Sequence, residues 1–405
     1  MLIVKKFGGS SVANAERIKH VAQTIVNSYN EGNRVVVVLS AQGDTTDELI
    51  EKANEINPNA SKREMDMLLA TGEQQSVALM AMAIQALDVP VISLNAFQCK
   101  ISSTSNYSNA RIKDIATERI LNELDNKKIV IITGFQGVNR SLDVTTLGRG
   151  GSDTSAVALA AKLEADICEI YTDVDGVYTG DPRVIKGAKK LNEITYDEML
   201  ELASLGAKVL HNRSVELAKK YNVNLVVRSS MTDAEGTIVK EETKVEKMLV
   251  NGVAVDKDVA RISLVGVKNE PGVAFKLFSV LSKEKISVDI IIQSIGRDDK
   301  KDISFTTTRE DLAQTLSLLD QNKERLGFDS VSYNDRVAKV SVVGAGMATN
   351  PGVAAKMFEA TFDAGINVNM ISTSEIKISI LVDEKDADRA GNAIHDKFIG
   401  SGVEI

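Results

Sequence analysis

The chain has no tryptophan, and aromatic residues make up only 4% of its 405 positions. With a formal net charge of −8, this argues against a nucleic-acid partner, which demands clustered cations for the phosphate backbone and rings for stacking. There are two cysteines, Cys99 and Cys168. They are too few for a disulfide framework and suit a reducing compartment. The three histidines, His20, His211 and His395, lack the spacing of a zinc site. No segment approaches the ~20 apolar residues a membrane helix needs. Met1-Leu2-Ile3-Val4-Lys5-Lys6 is too short an apolar stretch for a signal peptide. The expectation is a cytoplasmic protein with no membrane partner. No Gly-Lys dipeptide occurs anywhere, which excludes a P-loop.

What remains is ordinary globular composition, 43% hydrophobic and 26% charged, with length for about two to three domains. Short β-branched runs alternate with helical patterns through about residue 230. Strands are predicted at Leu2–Val4, Val35–Leu39, Val89–Ser93, Ile129–Thr133, Ile167–Tyr171 and Leu225–Arg228. Such near-continuous apolar runs suit parallel strands covered on both faces. Ile18, Val21, Ala22, Ile25, Val26 and Tyr29 mark one face of a helix, and a second helix is predicted over about Thr154 to Leu163. The pattern predicts a three-layer αβα sandwich with a mainly parallel sheet, its ligands at the carboxyl ends of the strands.

The tail is a repeat. Pro271-Gly272-Val273-Ala274 recurs as Pro351-Gly352-Val353-Ala354, and the same eighty-residue offset pairs Lys276 with Lys356, Phe278 with Phe358, Ile286 with Ile366, Val288 with Val368 and Ser294 with Ser374. Each copy reads strand, Pro-Gly turn, helix, strand, strand, helix. The polar stretch Thr232–Lys247 places a boundary before it.

Three motifs carry chemistry. Lys6-Phe7-Gly8-Gly9-Ser10-Ser11 joins the first strand to the first helix. Paired glycines admit an anion close to backbone N–H groups, and Lys6 can add an ammonium. Taken alone, this is also a tight turn beside a surface lysine. Leu147-Gly148-Arg149-Gly150-Gly151-Ser152-Asp153-Thr154 opens a second helix. A cap accounts for Ser152 or Asp153. It does not account for an arginine among three glycines, and Arg149 suits a carboxylate or phosphate. The third motif runs from Tyr171 through Thr172, Asp173 and Tyr178 to Arg183, and could form a nucleoside pocket. An acidic calcium loop is the alternative, but the EF-hand spacing is absent.

In this order the motifs resemble the aspartokinases of the amino acid kinase family. The match also covers Ser40 through Leu49, Thr71-Gly72-Glu73, Thr133-Gly134-Phe135-Gln136-Gly137 and Thr145 through Thr154. The tail resembles the tandem ferredoxin-like α+β ACT domains of these enzymes, and the length resembles their monofunctional form. The resemblance implies a catalytic domain over 1–245 and ACT domains over 246–325 and 326–405. It implies transfer of the ATP γ-phosphoryl group to the β-carboxylate of L-aspartate, at the start of lysine, threonine and methionine synthesis. Lys6 would stabilise the phosphoryl group in transfer, with Asp153 orienting it. Lys6, Phe7, Gly8, Gly9, Ser10, Ser152, Thr172, Asp173, Tyr178, Thr179, Gly180, Asp181, Pro182, Arg183 and Lys208 would hold ATP. Ser40, Thr46, Glu73, Phe135, Arg149, Gly150, Gly151 and Ser152 would hold aspartate. Magnesium (Mg2+) would arrive on the ATP phosphates, with no dedicated metal site in the protein.

By the same resemblance, Asn269, Gly272, Val273, Ala274, Val288, Asp289 and Gln293 form one effector site for lysine or threonine. Val353, Ala354, Asn367, Val368, Ser374 and Glu375 form its counterpart. Effectors that sit where ACT units meet imply a homo-oligomer or an assembly with a separate ACT chain, which Met248 could begin. The chain departs from the family pattern at Lys100, Ser103, Thr104, Ser108 and Asn212, none of them assigned to chemistry. A sensor without catalysis would share the fold but should have lost Lys6, Gly8, Gly9, Arg149 or Asp153. Kinases of glutamate, acetylglutamate or carbamate are further alternatives.

Overall fold

The computed structural model describes residues 1–205, 209–242, 250–296, 299–344, 347 and 350–400. Lys208 and Met248, both named above, lie outside these residues, as does the expected boundary at 245.

The chain divides into two compact units. The first, residues 1–178 and 190–245, is built on an eight-stranded sheet. Its order is Glu193–Thr195, Thr237–Lys240, Leu225–Ser229, Ile167–Thr172, Leu2–Phe7, Arg34–Leu39, Ile129–Thr133, Val91–Leu94. Every neighbouring pair is parallel except Leu225–Ser229 with Thr237–Lys240. Alternation along the strands decides which face each residue serves. Phe7, Val35, Val37 and Leu39 pack beneath the helices Ala15–Asn30 and Lys62–Gln85. The opposite face takes Lys6 and meets the helix Gly151–Lys162, whose Asp153 pairs with it. A four-stranded side sheet runs Ile112–Ile115, Ile101–Ser103, Gln136–Val138, Val144–Thr146.

The expected elements are all present, with ends moved by at most three residues. The second helix starts at Gly151 rather than Thr154 because Gly150, at φ +68°, turns the chain straight into it.

The second unit, residues 179–189 and 246–405, is one antiparallel six-stranded sheet. It runs Ile291–Gln293, Lys300–Thr307, Gly252–Lys268, Ser330–Val343, Lys377–Asp383, Met370–Thr373. Each repeat enters its first helix through a left-handed glycine, Gly272 at φ +87° and Gly352 at φ +99°. A side chain would be strained there, which accounts for the recurring Pro-Gly. The repeats are not two sequential bodies split at 325. The first half of Gly252–Lys268 pairs with the end of Ser330–Val343, and Val250 and Val253 sit in the second repeat's core with Val340, Val353 and Ile380. Thr179–Lys189, expected in the catalytic domain, also belongs to this unit.

Candidate active site

The strand Leu2–Phe7 delivers Lys6 to the mouth of the glycine turn. Its ammonium lies 2.6 Å from Asp153 Oδ1, and the two side chains are 11% and 13% exposed. The turn is set by backbone contacts. Gly8 N–H donates to Tyr171 O, and Gly43 N–H donates to Gly9 O. A β-carbon on Gly9 would stand 2.7 Å from Ala41 O, whereas one on Gly8 would meet Lys6 Nζ at 3.5 Å, an ordinary contact. A side chain at Gly9 would therefore displace the loop. Ser40, half-buried at the end of the next strand, donates its N–H to Phe7 O.

Glu73 projects from the helix Lys62–Gln85 and is buried, at 3% exposure. Oε1 accepts the Ala41 N–H at 3.1 Å, while Oε2 is buried without a hydrogen-bond partner among the described residues. Desolvation raises its pKa to about 7, partly offset by backbone hydrogen bonds. A buried carboxylate oxygen left unpaired is the exception among buried polar groups and is suited to accept from a cationic group. Phe135 holds φ +68°, an uncommon conformation for a bulky side chain of the kind that collects at functional sites. Its N–H donates to Ser155 Oγ, and its ring fills the space where Gly151 would carry a β-carbon. Thr46 lies half-buried in the helix Thr45–Ile56.

Arg149 stands exposed on its glycine loop and forms no ion pair among the described residues. The loop is braced by residues that sequence reasoning did not single out. Arg213 donates to Leu147 O and to Ala110 O. His211 lies so close that a β-carbon on Gly150 would fall 2.2 Å from its ring. Asp66, fully buried, accepts from the N–H and hydroxyl of both Ser108 and Thr146. Asp66 carried a signal: a charged residue on the buried side of a helix needs partners. The departures Lys100 and Ser108 hold φ +48° and +66°, where glycine is the unstrained residue.

The nucleotide candidates are divided by the structure. Thr172, Asp173 and Tyr178 belong to the first unit, where Thr172 Oγ1 donates to Asp173 and Tyr178 OH donates to Asp175. Asp181, Pro182 and Arg183 belong to the second, with Arg183 82% exposed and forked onto Asp181. Thr179 does not meet the expectation. It is fully buried, its hydroxyl accepts the Lys189 N–H and pairs with His395 Nε2 at 2.9 Å, and so it is closed to a nucleotide. Gly180 is buried as well, against Ile185 and the backbone of Val253.

Among the effector candidates, Gly272 and Ala274 lie exposed at the turn and Val273 is buried. Asn269 N–H donates to Asp299 O, Val288 packs on the first repeat's core, and Gln293 lies exposed on the edge strand. Asp289 is already paired with the buried Lys339 at 2.5 Å. In the second repeat, Val353 is buried, Asn367, Ser374 and Glu375 are exposed, and Ala354 and Val368 pack beside the core. A cavity of about 500 Å3 is lined by Asn350, Pro351, Gly352, Lys356 and Phe398.

Comparison with known proteins gives matches over both parts of the chain. Residues 1–229 match the amino acid kinase family, and residues 262–322 and 340–398 match the ACT domain. The chain is 49% identical over 405 residues to an aspartokinase of Bacillus sp. (strain MGA3), covering 100% of this chain and 98% of that one. Among solved structures, E. coli aspartokinase III in complex with aspartate and ADP superposes with a TM-score of 0.83 at 26% identity, covering 98% and 99% of the two chains. The same enzyme with lysine and aspartate gives 0.79 at 26% identity, with the same coverage.

Proposed function

The chain belongs to the aspartokinases of the amino acid kinase family, and from that premise we propose how its residues divide the work of phosphorylating aspartate. Aspartate kinase activity under amino acid control through the ACT domains follows from the family. The assignment of individual residues rests above all on the Lys6–Asp153 pair.

Lys6 offsets charge on the equatorial oxygens of the γ-phosphoryl group as it transfers. Asp153, at the N-terminus of a helix, holds the ammonium in place. The attacking β-carboxylate is ionised at neutral pH, so no general base is required, and catalysis is positioning plus charge neutralisation. The unpaired Glu73 Oε2 receives the aspartate α-ammonium, and the free guanidinium of Arg149 takes the α-carboxylate. Gly8 and Gly9 present their backbone to the phosphates. Thr172, Asp173 and Tyr178, all in the first unit, serve the nucleotide. Magnesium enters as part of the MgATP substrate. The reaction opens lysine, threonine and methionine synthesis in the cytoplasm. Lysine or threonine acts at the Pro-Gly turns of an oligomer, as the binding of lysine by the E. coli enzyme suggests.

Hydroxylamine trapping of acyl phosphate, with MgATP and a panel of aspartate, glutamate, acetylglutamate and carbamate, tests the substrate. Hydroxamate from aspartate alone is expected. Equal yield from glutamate would overturn aspartate as the preferred substrate, while leaving Arg149 and Glu73 as partners of the α-carboxylate and α-ammonium that both amino acids share. Titrating lysine and threonine, singly and together, against the initial rate tests the effectors.

A further inference from the structure

Arg149 stands in a turn between two left-handed glycines, Gly148 at φ +77° and Gly150 at φ +68°, which bring no side chains to seat it. Gly151 N–H donates to Gly148 O at 2.9 Å and closes the turn. The place of the guanidinium is therefore set by what the turn is anchored to, the helix Gly151–Lys162 after it and Thr146 and Leu147 before it. Leu147 is fully buried, and its N–H donates to Phe135 O at 2.9 Å. Thr146 is held by Asp66. Its N–H donates to Oδ2 and its hydroxyl to Oδ1, each at 2.8 Å. The same carboxylate accepts the Ser108 N–H at 3.0 and 2.9 Å and the Ser108 hydroxyl at 3.3 Å. This lays Ser108 against Gly148, where a β-carbon would fall 2.9 Å from Ser108 O. Arg213 adds bonds to Asn109 Oδ1, Ala110 O and Leu147 O, and Ala110 N–H donates to Thr146 O.

Asp66 and Glu73 project from one helix, Lys62–Gln85, and both are buried. Seven positions are two helical turns, so the two side chains leave the same face about 10 Å apart along the axis. An amino acid carries its ammonium and its carboxylate on a single carbon. The anion and the cation that receive them must therefore keep a fixed separation. One helix sets both ends of it: Glu73 is the anion, and Asp66 holds the strand end that leads to Arg149. A buried carboxylate with this many donors resists displacement, because any shift leaves one of them unsatisfied.

We infer that Asp66 is a positioning residue for aspartate binding: from the helix that carries Glu73 it fixes Thr146, and through Thr146 the turn that carries Arg149. Asp66 is closed to solvent, so it acts through Arg149 and not on the substrate itself. This inference rests on the reading of Arg149 as the partner of the α-carboxylate.

The test is steady-state kinetics of the full chain, varying ATP and aspartate separately. Asp66→Asn sets an amide N–H2 against N–H donors and is expected to raise the KM for aspartate about tenfold. Thr146→Val deletes one hydroxyl at nearly unchanged volume and is expected to raise it about threefold. In both, kcat and the KM for ATP should stay within twofold of wild type, the pattern of lost binding rather than lost chemistry. Thr146→Ser keeps the hydroxyl and should stay within twofold in all three. In an Arg149→Ala background Thr146→Val should add no further rise, whereas a merely structural role would multiply the two effects. A folded Asp66→Asn enzyme with unchanged KM for aspartate overturns the inference, as does a multiplicative double variant. If Asp66→Asn does not fold by circular dichroism, Thr146→Val carries the test, and no rise in KM for aspartate overturns the inference. Arg149→Ala alone separates the two readings. If it leaves the KM for aspartate unchanged, the partner of the α-carboxylate is misassigned and the inference falls with it. If it raises that KM while Asp66→Asn and Thr146→Val do not, only the inference fails.

Discussion

Lys6 Nζ and Asp153 Oδ1 meet at 2.6 Å inside the first unit, with little of either side chain open to solvent. Removing the cation leaves a carboxylate largely stripped of water and unpaired. Lys6→Met is therefore expected to lower kcat by about 100- to 1000-fold, the scale of losing one preorganised donor at developing negative charge. Asp153→Asn keeps the shape and leaves the ammonium less firmly held, so a smaller loss of about tenfold is expected. Initial rates at saturating ATP and aspartate check both, and a Lys6→Met enzyme near wild-type kcat would refute the phosphoryl role.

Glu73 links pH to binding and to stability. Burial lifts its pKa from 4.5 to about 7. Between those values the folded state binds the proton more tightly than the unfolded chain. The folding contribution of this group is therefore full below about pH 4.5 and is lost as pH rises to 7. The loss above pH 7 amounts to at most about 3 kcal/mol. Glu73→Gln should thus raise Tm at pH 8 and leave it nearly unchanged at pH 4.5. The same substitution removes the anion that receives an α-ammonium, so the KM for aspartate should rise at least tenfold. In wild type, kcat/KM for aspartate should climb as pH passes from 6 to 8. Differential scanning fluorimetry and pH-dependent kinetics on one pair of proteins read both effects.

Much of this was legible in residue order. Parallel strands announce themselves as β-branched runs, and Val35–Leu39 and Ile129–Thr133 fell where expected because both faces of those strands are buried. The glycine turns were legible because close backbone approach leaves no substitute for glycine. What escaped notice depends on long-range contact. Asp66 and Arg213 each look like an ordinary helix charge until the loops they brace, some forty to a hundred residues away, come into view. Thr179 was misread for a related reason: it lies in a motif with nucleotide-like residues, but its surroundings are set by His395, 216 positions later.

Lys100 and Ser108 are non-glycine residues at φ +48° and +66°. Lys100→Gly relieves a left-handed lysine and should stabilise the protein by about 1 kcal/mol, net of the glycine's larger unfolded-state entropy. Ser108→Gly should yield less, because it also removes the Ser108 hydroxyl contact to the buried Asp66. Denaturant midpoints at unchanged m-value test the order of the two effects.

Gly150 gives the last prediction, because two separable causes forbid a side chain there. Its φ of +68° strains any L-residue, and a β-carbon would fall 2.2 Å from Cγ of His211. The neighbouring Arg149 rides on this turn, so a displaced loop moves the guanidinium proposed to hold aspartate. Gly150→Ala should lower stability by about 2 kcal/mol or more and reduce kcat/KM for aspartate at least tenfold. His211→Ala removes the ring that the new methyl meets and leaves the backbone strain in place. The double variant should therefore recover part of the loss, leaving about 1 kcal/mol of strain. A double-mutant cycle measures that recovery as a coupling energy. Simple additivity of the two substitutions would mean that the loop moves freely of His211, and that the helix beginning at Asn212 does not hold Arg149 in place.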